Sequence, residues 1–155
     1  MVVYATILKM DNNIIETKTF YDFLTGKAYT ALSRRLQKNL RGAGLDITSE
    51  QWSILYALWE EEGLTQQELA QRTFREKTAI TRLIDNLVRS DLVIRVADKG
   101  DRRTNLIYLT KVGRQLKTVC MEQANQTLNE ALAGVDTPHI HIAKDTLKKV
   151  YENLK

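Results

Sequence analysis

Residues 98–104 read Asp-Lys-Gly-Asp-Arg-Arg-Thr and run straight into the apolar stretch Asn105–Leu109. A tight turn uses a glycine and a side-chain acceptor, but it has no need of three cations. Lys99, Arg102 and Arg103 at one loop tip suit an anionic partner. Arginine in particular offers a planar fork that matches a phosphate or the O6/N7 edge of guanine. Asp101 cancels part of this charge. Its presence is explained if the carboxylate holds one arginine in a fixed rotamer as a bidentate pair, saving part of the roughly 1–2 kcal/mol of side-chain entropy lost on binding. Upstream, Lys77, Thr78, Thr81 and Arg82 open a segment whose other face is Ile80, Leu83, Ile84, Leu87 and Val88. Threonine can hydrogen-bond a base edge or touch a thymine methyl, and it is a poor choice for plain helix surface. Arg89 lies too far along to reach bases and is expected on a phosphate or in a salt bridge.

Other chemistry is weakly indicated. The sequence has no phosphate-binding glycine loop and no Ser or Cys beside a base that a motif signals, so it does not read as an enzyme and calls for no cofactor. His139 and His141, with Asp136, are ligand types. Alternate residues on a helix point about 200° apart, so both imidazoles cannot face one metal ion. Cys120 is the only cysteine, which excludes an internal disulfide. The chain therefore reads as cytoplasmic, and the thiol as a buried structural group. Trp52, Tyr56 and Trp59 form a stripe at helical spacing and read first as core. Val2–Leu8 is too short to span a membrane and lacks the basic leader of a signal peptide. Residues 1–10 read either as an extended arm or as an addition ahead of Met10.

These groups must be positioned by a mainly helical chain. With 155 residues, a single proline and seven glycines, the composition argues against a many-turned β fold. Residues 64–115 hold 11 Lys/Arg against 6 Asp/Glu, while the rest of the chain holds 12 against 13, so the cationic excess sits in one region. A concentrated field of this kind favours a local anionic partner such as nucleic acid. Apolar residues from Phe20 to Leu36 recur at spacings of three and four, predicting a helix over about 19–40 that ends at Gly42–Gly44. Thr48/Gln51 and Thr65/Glu68 have capping-box spacing, with Ile47/Trp52 and Leu64/Leu69 placed as hydrophobic staples. One helix should run to about Glu61 and stop at Gly63, and a second, short one should end near Arg72 or Thr73. The next helix is expected over about 77–89. Leu92–Val96 and Asn105–Leu109 then read as a hairpin whose loop uses Gly100 for a positive φ. Thr110 can cap a helix reaching about Ala133, and Thr137 followed by Pro138 starts the last one.

A short helix, a sharp turn, a split-faced helix and a cationic hairpin make a winged helix-turn-helix. The fold class is mostly α with a small β-hairpin wing, flanked by N- and C-terminal dimerisation helices. The expected regions are 1–45 (arm and dimerisation helix), 46–112 (winged helix-turn-helix) and 113–155 (C-terminal dimerisation helices). The flanking helices carry more apolar positions than one small domain covers, and pairing with a copy would bury the excess. In this motif the split-faced helix enters the major groove, and the wing tip, with its arginines, meets the minor groove. A competing reading is a winged helix that serves as a protein–protein interaction module without binding DNA; the cationic wing argues against it.

Residues 48–113 resemble the MarR family of bacterial transcription regulators. The resemblance is carried by the helix-turn-helix, by the Asp101-Arg102-Arg103 wing motif, and by Leu109-Thr110 followed by Gly113. It implies a homodimer that binds a pseudo-palindromic operator on double-stranded DNA, as a repressor, and is released by a small ligand or by oxidation. By position, the implied DNA contacts are Lys77, Thr78, Thr81, Arg82, Arg102 and Arg103. The family would also put a ligand cleft for a small aromatic molecule beside the Trp52, Tyr56 and Trp59 stripe, with Tyr29. The chain departs from the family pattern at Leu87-Val88, where Leu-Glu is usual, and at Asp91, where Gly is usual. Aspartate can take the left-handed conformation the turn requires.

Overall fold

The computed structural model describes residues 26–101 and 103–154. Helix α1 (Lys27–Gly42) starts from Gly26, whose φ of 60° sets the left-handed entry. The expected start near Thr19, with Phe20, Phe23 and Leu24, lies outside the described residues, as does the 1–10 segment. Helix α2 (Ser49–Glu60) follows, capped as its sequence predicts: Gln51 N donates to Thr48 Oγ1 at 3.1 Å, and Thr48 N donates to Gln51 Oε1 at 2.8 Å. Gly63 turns the chain with φ 76°. A Cβ there would sit 2.9 Å from the Tyr108 hydroxyl. Strand β1 (Leu64–Thr65), helix α3 (Gln66–Thr73) and helix α4 (Lys77–Arg89) come next. Strands β2 (Val93–Ala97) and β3 (Asn105–Leu109) form the hairpin.

The sheet has three strands in the order β1-β3-β2, all antiparallel. Leu64 pairs with Ile107, and Val93 pairs with Leu109. The sequence predicts only the hairpin, because a two-residue strand carries no periodic signal of its own. The hairpin loop also differs from expectation. Gly100 does not adopt a positive φ. The loop is closed instead by hydrogen bonds from Asp98 N to Thr104 O and from Thr104 N to Asp101 O, both 2.9 Å.

The helix expected from Thr110 to about Ala133 is interrupted. Thr110 caps a short α5 (Lys111–Gln115), a turn at Leu116 follows, and α6 (Lys117–Ala131) continues. Leu116 packs on the core at the break. The last helix, α7 (Thr137–Leu154), begins at Thr137 itself, with Ile140 N donating to Asp136 O. The start is therefore one residue earlier than a Thr137 cap would give.

The core gathers residues from helices and strands up to α6, and none from α7. Leu40 comes from α1, Ile54, Leu55 and Leu58 from α2, Leu69 from α3, and Ile80, Ile84 and Leu87 from α4; Val93, Ile107 and Cys120 complete it. Burial raises the Cys120 thiol to about 11. Helix α1 packs along α6, where Asn39 Nδ2 donates to Thr127 Oγ1 at 2.9 Å. Glu62 ties α2 to the sheet and α5: it accepts from Leu109 N at 3.1 Å and from Arg114 Nε and Nη2 at 2.8 and 2.7 Å. The Arg114 hydrogen bond chiefly holds the Glu62 carboxyl below its ordinary value. Its contribution is thus present above the usual carboxylate range and is lost as pH falls through the lowered value.

The backbone of α5 passes unusually close to the segment before β2. Thr110 N donates to Leu92 O at 3.0 Å, and a Cβ built on Gly113 would lie 2.1 Å from that same carbonyl oxygen. Backbone cannot yield as a flexible side chain can. Gly113→Ala should therefore lower unfolding free energy by about 1–3 kcal/mol or more, measured by urea titration; an unchanged midpoint would contradict the close approach. Cys120 should react with a water-soluble disulfide reagent at pH 8 only as fast as the protein opens, and rapidly in denaturant. Prompt stoichiometric reaction of the native chain would contradict its burial.

Candidate nucleic-acid interface

Helices α3 and α4 form the helix-turn-helix. Helix α3 begins from Thr65, whose Oγ1 accepts from Glu68 N at 3.1 Å while the Glu68 carboxylate accepts from Thr65 N at 2.7 Å. That backbone hydrogen bond is the main reason the Glu68 carboxyl lies below its ordinary value. The turn uses Phe74 in the left-handed region, φ 53°, a conformation the sequence does not advertise because phenylalanine rarely adopts it. Arg75 N then donates to Ala70 O at 3.0 Å.

Helix α4 is split as its pattern predicts. Ile80, Ile84 and Leu87 are fully buried, while Thr78 and Arg82 are exposed on the opposite side and Lys77 is exposed at the helix start. Thr81 is half-buried, and its Oγ1 lies 3.0 Å from both Lys77 O and Gln66 Oε1. Asp85 is not free: its carboxylate pairs with Arg95 of β2 at 2.6 Å, locking α4 to the wing's root. Arg89, expected on a phosphate or in a salt bridge, instead engages Asn86 Oδ1 and Asp85 O within its own helix.

Asp101 orders the wing tip. Asp101 Oδ1 accepts from Arg103 N at 3.0 Å, and its Oδ2 accepts from Thr104 Oγ1 at 3.2 Å. The carboxylate thus shapes the turn through the backbone, and among the described residues it makes no ion pair with an arginine side chain. Lys99 and Arg103 are exposed at the tip. Arg102 lies outside the described residues.

Two of these groups meet in one place. Thr65, Gln66 and Gln67 at the start of α3, Lys77 at the start of α4, and Arg103, Thr104 and Asn105 on the wing's return arm line a polar cleft of about 340 Å³. The β1–β3 pairing brings them together, by setting the start of α3 beside the hairpin. Sequence reasoning therefore missed Gln66, Gln67 and Asn105. The available signal was their polar character at the first turn of α3 and the first position of β3.

A second, apolar cavity of about 430 Å³ lies between α1, α2 and α6. Tyr29, Trp52 and Tyr56 line it, with the Trp52 and Tyr56 rings stacked at 5.3 Å and 25°. Arg75 reaches its wall, donating from Nη2 to Tyr29 Oη at 3.3 Å and pairing through Nη1 with Glu50 at 3.3 Å. Trp52 Nε1 and Arg75 Nε are buried with no partner among the described residues. Trp59 is not part of this wall. It packs on the core, and its Nε1 donates to Gly113 O at 3.0 Å, which turns the ring away toward α5.

Comparison with known proteins bears on this arrangement. A profile of the MarR family matches residues 45–104, which span the helix-turn-helix and the wing. E. coli MarR in its apo form superimposes with a TM-score of 0.71 at 25% identity, covering 89% of this chain and 98% of that one.

The winged helix-turn-helix region, residues 45–104, is of the MarR type.

Another MarR regulator, from Methanosarcina mazei, gives a TM-score of 0.76 at 24% identity over 86% of this chain and 95% of its own. A cysteine-to-serine mutant of E. coli MarR, complexed with operator DNA, gives 0.75 at 26% identity over 82% of this chain and 90% of its own. Among curated relatives, the regulator TtmR of Methylorubrum extorquens is 40% identical over 72 residues, 46% of this chain but only 37% of TtmR. MhqR of Bacillus subtilis is 22% identical over 129 residues, 83% of this chain and 88% of MhqR. The structure also accounts for the departures from the MarR pattern. Asp91 adopts φ 54° where the family usually has glycine, and its carbonyl accepts from Thr110 Oγ1 at 2.7 Å. Leu87 is buried, and Val88, where the family has Glu, is partly exposed. No described helix is long and apolar enough to cross a membrane.

Proposed function

We propose that this chain is a sequence-specific, double-stranded DNA-binding repressor that acts as a homodimer and is released by a small aromatic ligand. The observation that carries the reading is the shared cleft: Lys77 and Arg103 flank the start of α3 while Thr78 and Arg82 stand exposed on the same helix as Lys77. A helix with side chains is about 10–12 Å across and fits a major groove about 12 Å wide. Backbone amides and cations at the cleft suit phosphates, and Thr78, Thr81 and Arg82 suit base edges. That an E. coli relative of the same fold is complexed with operator DNA supports a DNA partner.

Pairing of two chains is supported by the flanking helices. Helix α7 buries none of its residues, and it exposes Ile142 at 63%, Leu147 at 55% and Leu154 at 82%. A second copy would cover this face. It would also set two α4 helices about 34 Å apart, one turn of duplex. Ligand release is supported by the apolar cavity, whose lining includes the stacked Trp52 and Tyr56 rings and two residues, Trp52 and Arg75, that each carry a buried unpartnered N–H. That combination suits a planar aromatic ring bearing an acceptor, such as a phenol or an aryl carboxylate.

The test is a mobility-shift titration at two salt concentrations with duplexes selected from a random pool. Arg103→Ala should weaken all sequences alike and reduce the salt slope by about one unit, while Arg82→Ala should relax sequence preference at a cost of about 1–3 kcal/mol. No retained duplex, or an unchanged slope in Arg103→Ala, would favour the protein-interaction reading. For the cavity, phenols and aryl carboxylates should quench tryptophan fluorescence in the Trp59→Phe protein and lose that effect in Trp52→Phe. Equal quenching in both variants would place the ligand elsewhere.

A further inference from the structure

We infer that Gln66 is a positioning residue that makes Thr81 meet a base as an acceptor and a methyl, never as a hydrogen-bond donor. The inference rests on the DNA-binding reading above and specifies how one side chain of that surface reads sequence. Thr81 Oγ1 lies 3.0 Å from Lys77 O and 3.0 Å from Gln66 Oε1. A hydroxyl has a single proton and cannot donate fully to two acceptors. With the Gln66 amide oxygen facing the hydroxyl, one of the two contacts is left as oxygen against oxygen.

Turning the amide resolves this. The oxygen and nitrogen of a glutamine amide have nearly the same size, so exchanging them changes no packing. Gln66 Nε2 then donates to Thr81 Oγ1, and Thr81 donates its one proton to Lys77 O. Both contacts are satisfied at the observed distances. Thr81 keeps one lone pair and its Cγ2 methyl for the groove. Adenine N6 and cytosine N4 are donors that this lone pair can accept from, and thymine offers its methyl. Guanine presents only O6 and N7, both acceptors, and gains nothing from such a threonine.

Gln66 is well placed for this role. It is the first residue of α3, half-buried, and lines the polar cleft beside Lys77. Its side chain is thus a polar tie from the first helix of the motif to the reading helix, in addition to their apolar packing.

The full-length chain provides the test. Site selection with wild type and Thr81→Ala identifies the base pair that Thr81 governs. At that pair, wild type should disfavour guanine about tenfold. Gln66→Met should reduce this to about twofold or less with an unchanged salt slope, because the hydroxyl is then free to swing toward guanine. Gln66→Met should add nothing in the Thr81→Ala background. Gln66→Glu should keep the discrimination by another route, since its carboxylate can accept the Thr81 proton and so withholds it from guanine, while the added charge lowers affinity for every sequence. Wild-type discrimination in Gln66→Met, full additivity of the two changes, or a salt slope lowered by about one unit would each overturn the inference. If selected duplexes bind wild type and Gln66→Met alike, only this inference fails; if wild type retains no duplex, the DNA reading fails with it.

Discussion

One amphipathic helix can bury only one stripe, and in this protein that stripe belongs to α4. Ile80, Ile84 and Leu87 are each without solvent exposure. Burying three such side chains is worth on the order of 5–9 kcal/mol before entropy is counted, so the rotation of α4 about its axis is not adjustable. Turning it to show different residues would expose the core. Everything polar on α4 is therefore held outward by apolar packing on the other side. The Asp85–Arg95 pair adds direction to that packing by tying α4 to β2. The root of the wing is thus tied to α4, and the β1–β3 pairing extends the tie to the start of α3.

The turn between α3 and α4 is also where the rest of the chain touches this body. Arg75 contacts Tyr29 of α1 and Glu50 of α2, and the Phe74 ring meets Tyr151 of α7 edge-on at 5.3 Å. The apolar cavity lies on one side of this corner, and α4, with the side chains proposed to face DNA, begins just beyond it. On the proposed reading, a ligand that engages Arg75 Nε acts on the one short segment shared by both. A side chain with partners on α1 and α2 transmits a shift at the cavity better than the mostly solvated surface of α4 could.

How much of this was legible in the sequence follows from how local each signal is. Both capping boxes were readable because the residues that satisfy the free amides lie three positions apart. The core face of α4 was readable from its period, and Asp91 from the tolerance of aspartate for positive φ. Features that depend on distant chain were not readable. Strand β1 exists because β3 is beside it, and Gly113 matters because Leu92 O approaches it. The turn-shaping role of Asp101 was not read because the sequence shows two neighbouring arginines but not the Arg103 amide and Thr104 hydroxyl that reach the carboxylate. Trp59 was grouped with Trp52 by spacing alone, although its indole nitrogen is committed to Gly113 O. Gln66 was overlooked because its partner is on another helix.

The central claim is spatial: two copies of α4 present their outer faces on one side of a twofold pair at the repeat of duplex DNA. The most direct measurement is the distance between spin labels carried at Thr78→Cys in the two chains, with and without a selected duplex. The buried Cys120 does not compete for label under native conditions. A DNA-bound distance near 34 Å, narrower in distribution than that of the free protein, is the predicted result. Absence of any interchain distance, or a DNA-bound value far from one helical repeat, would contradict the account.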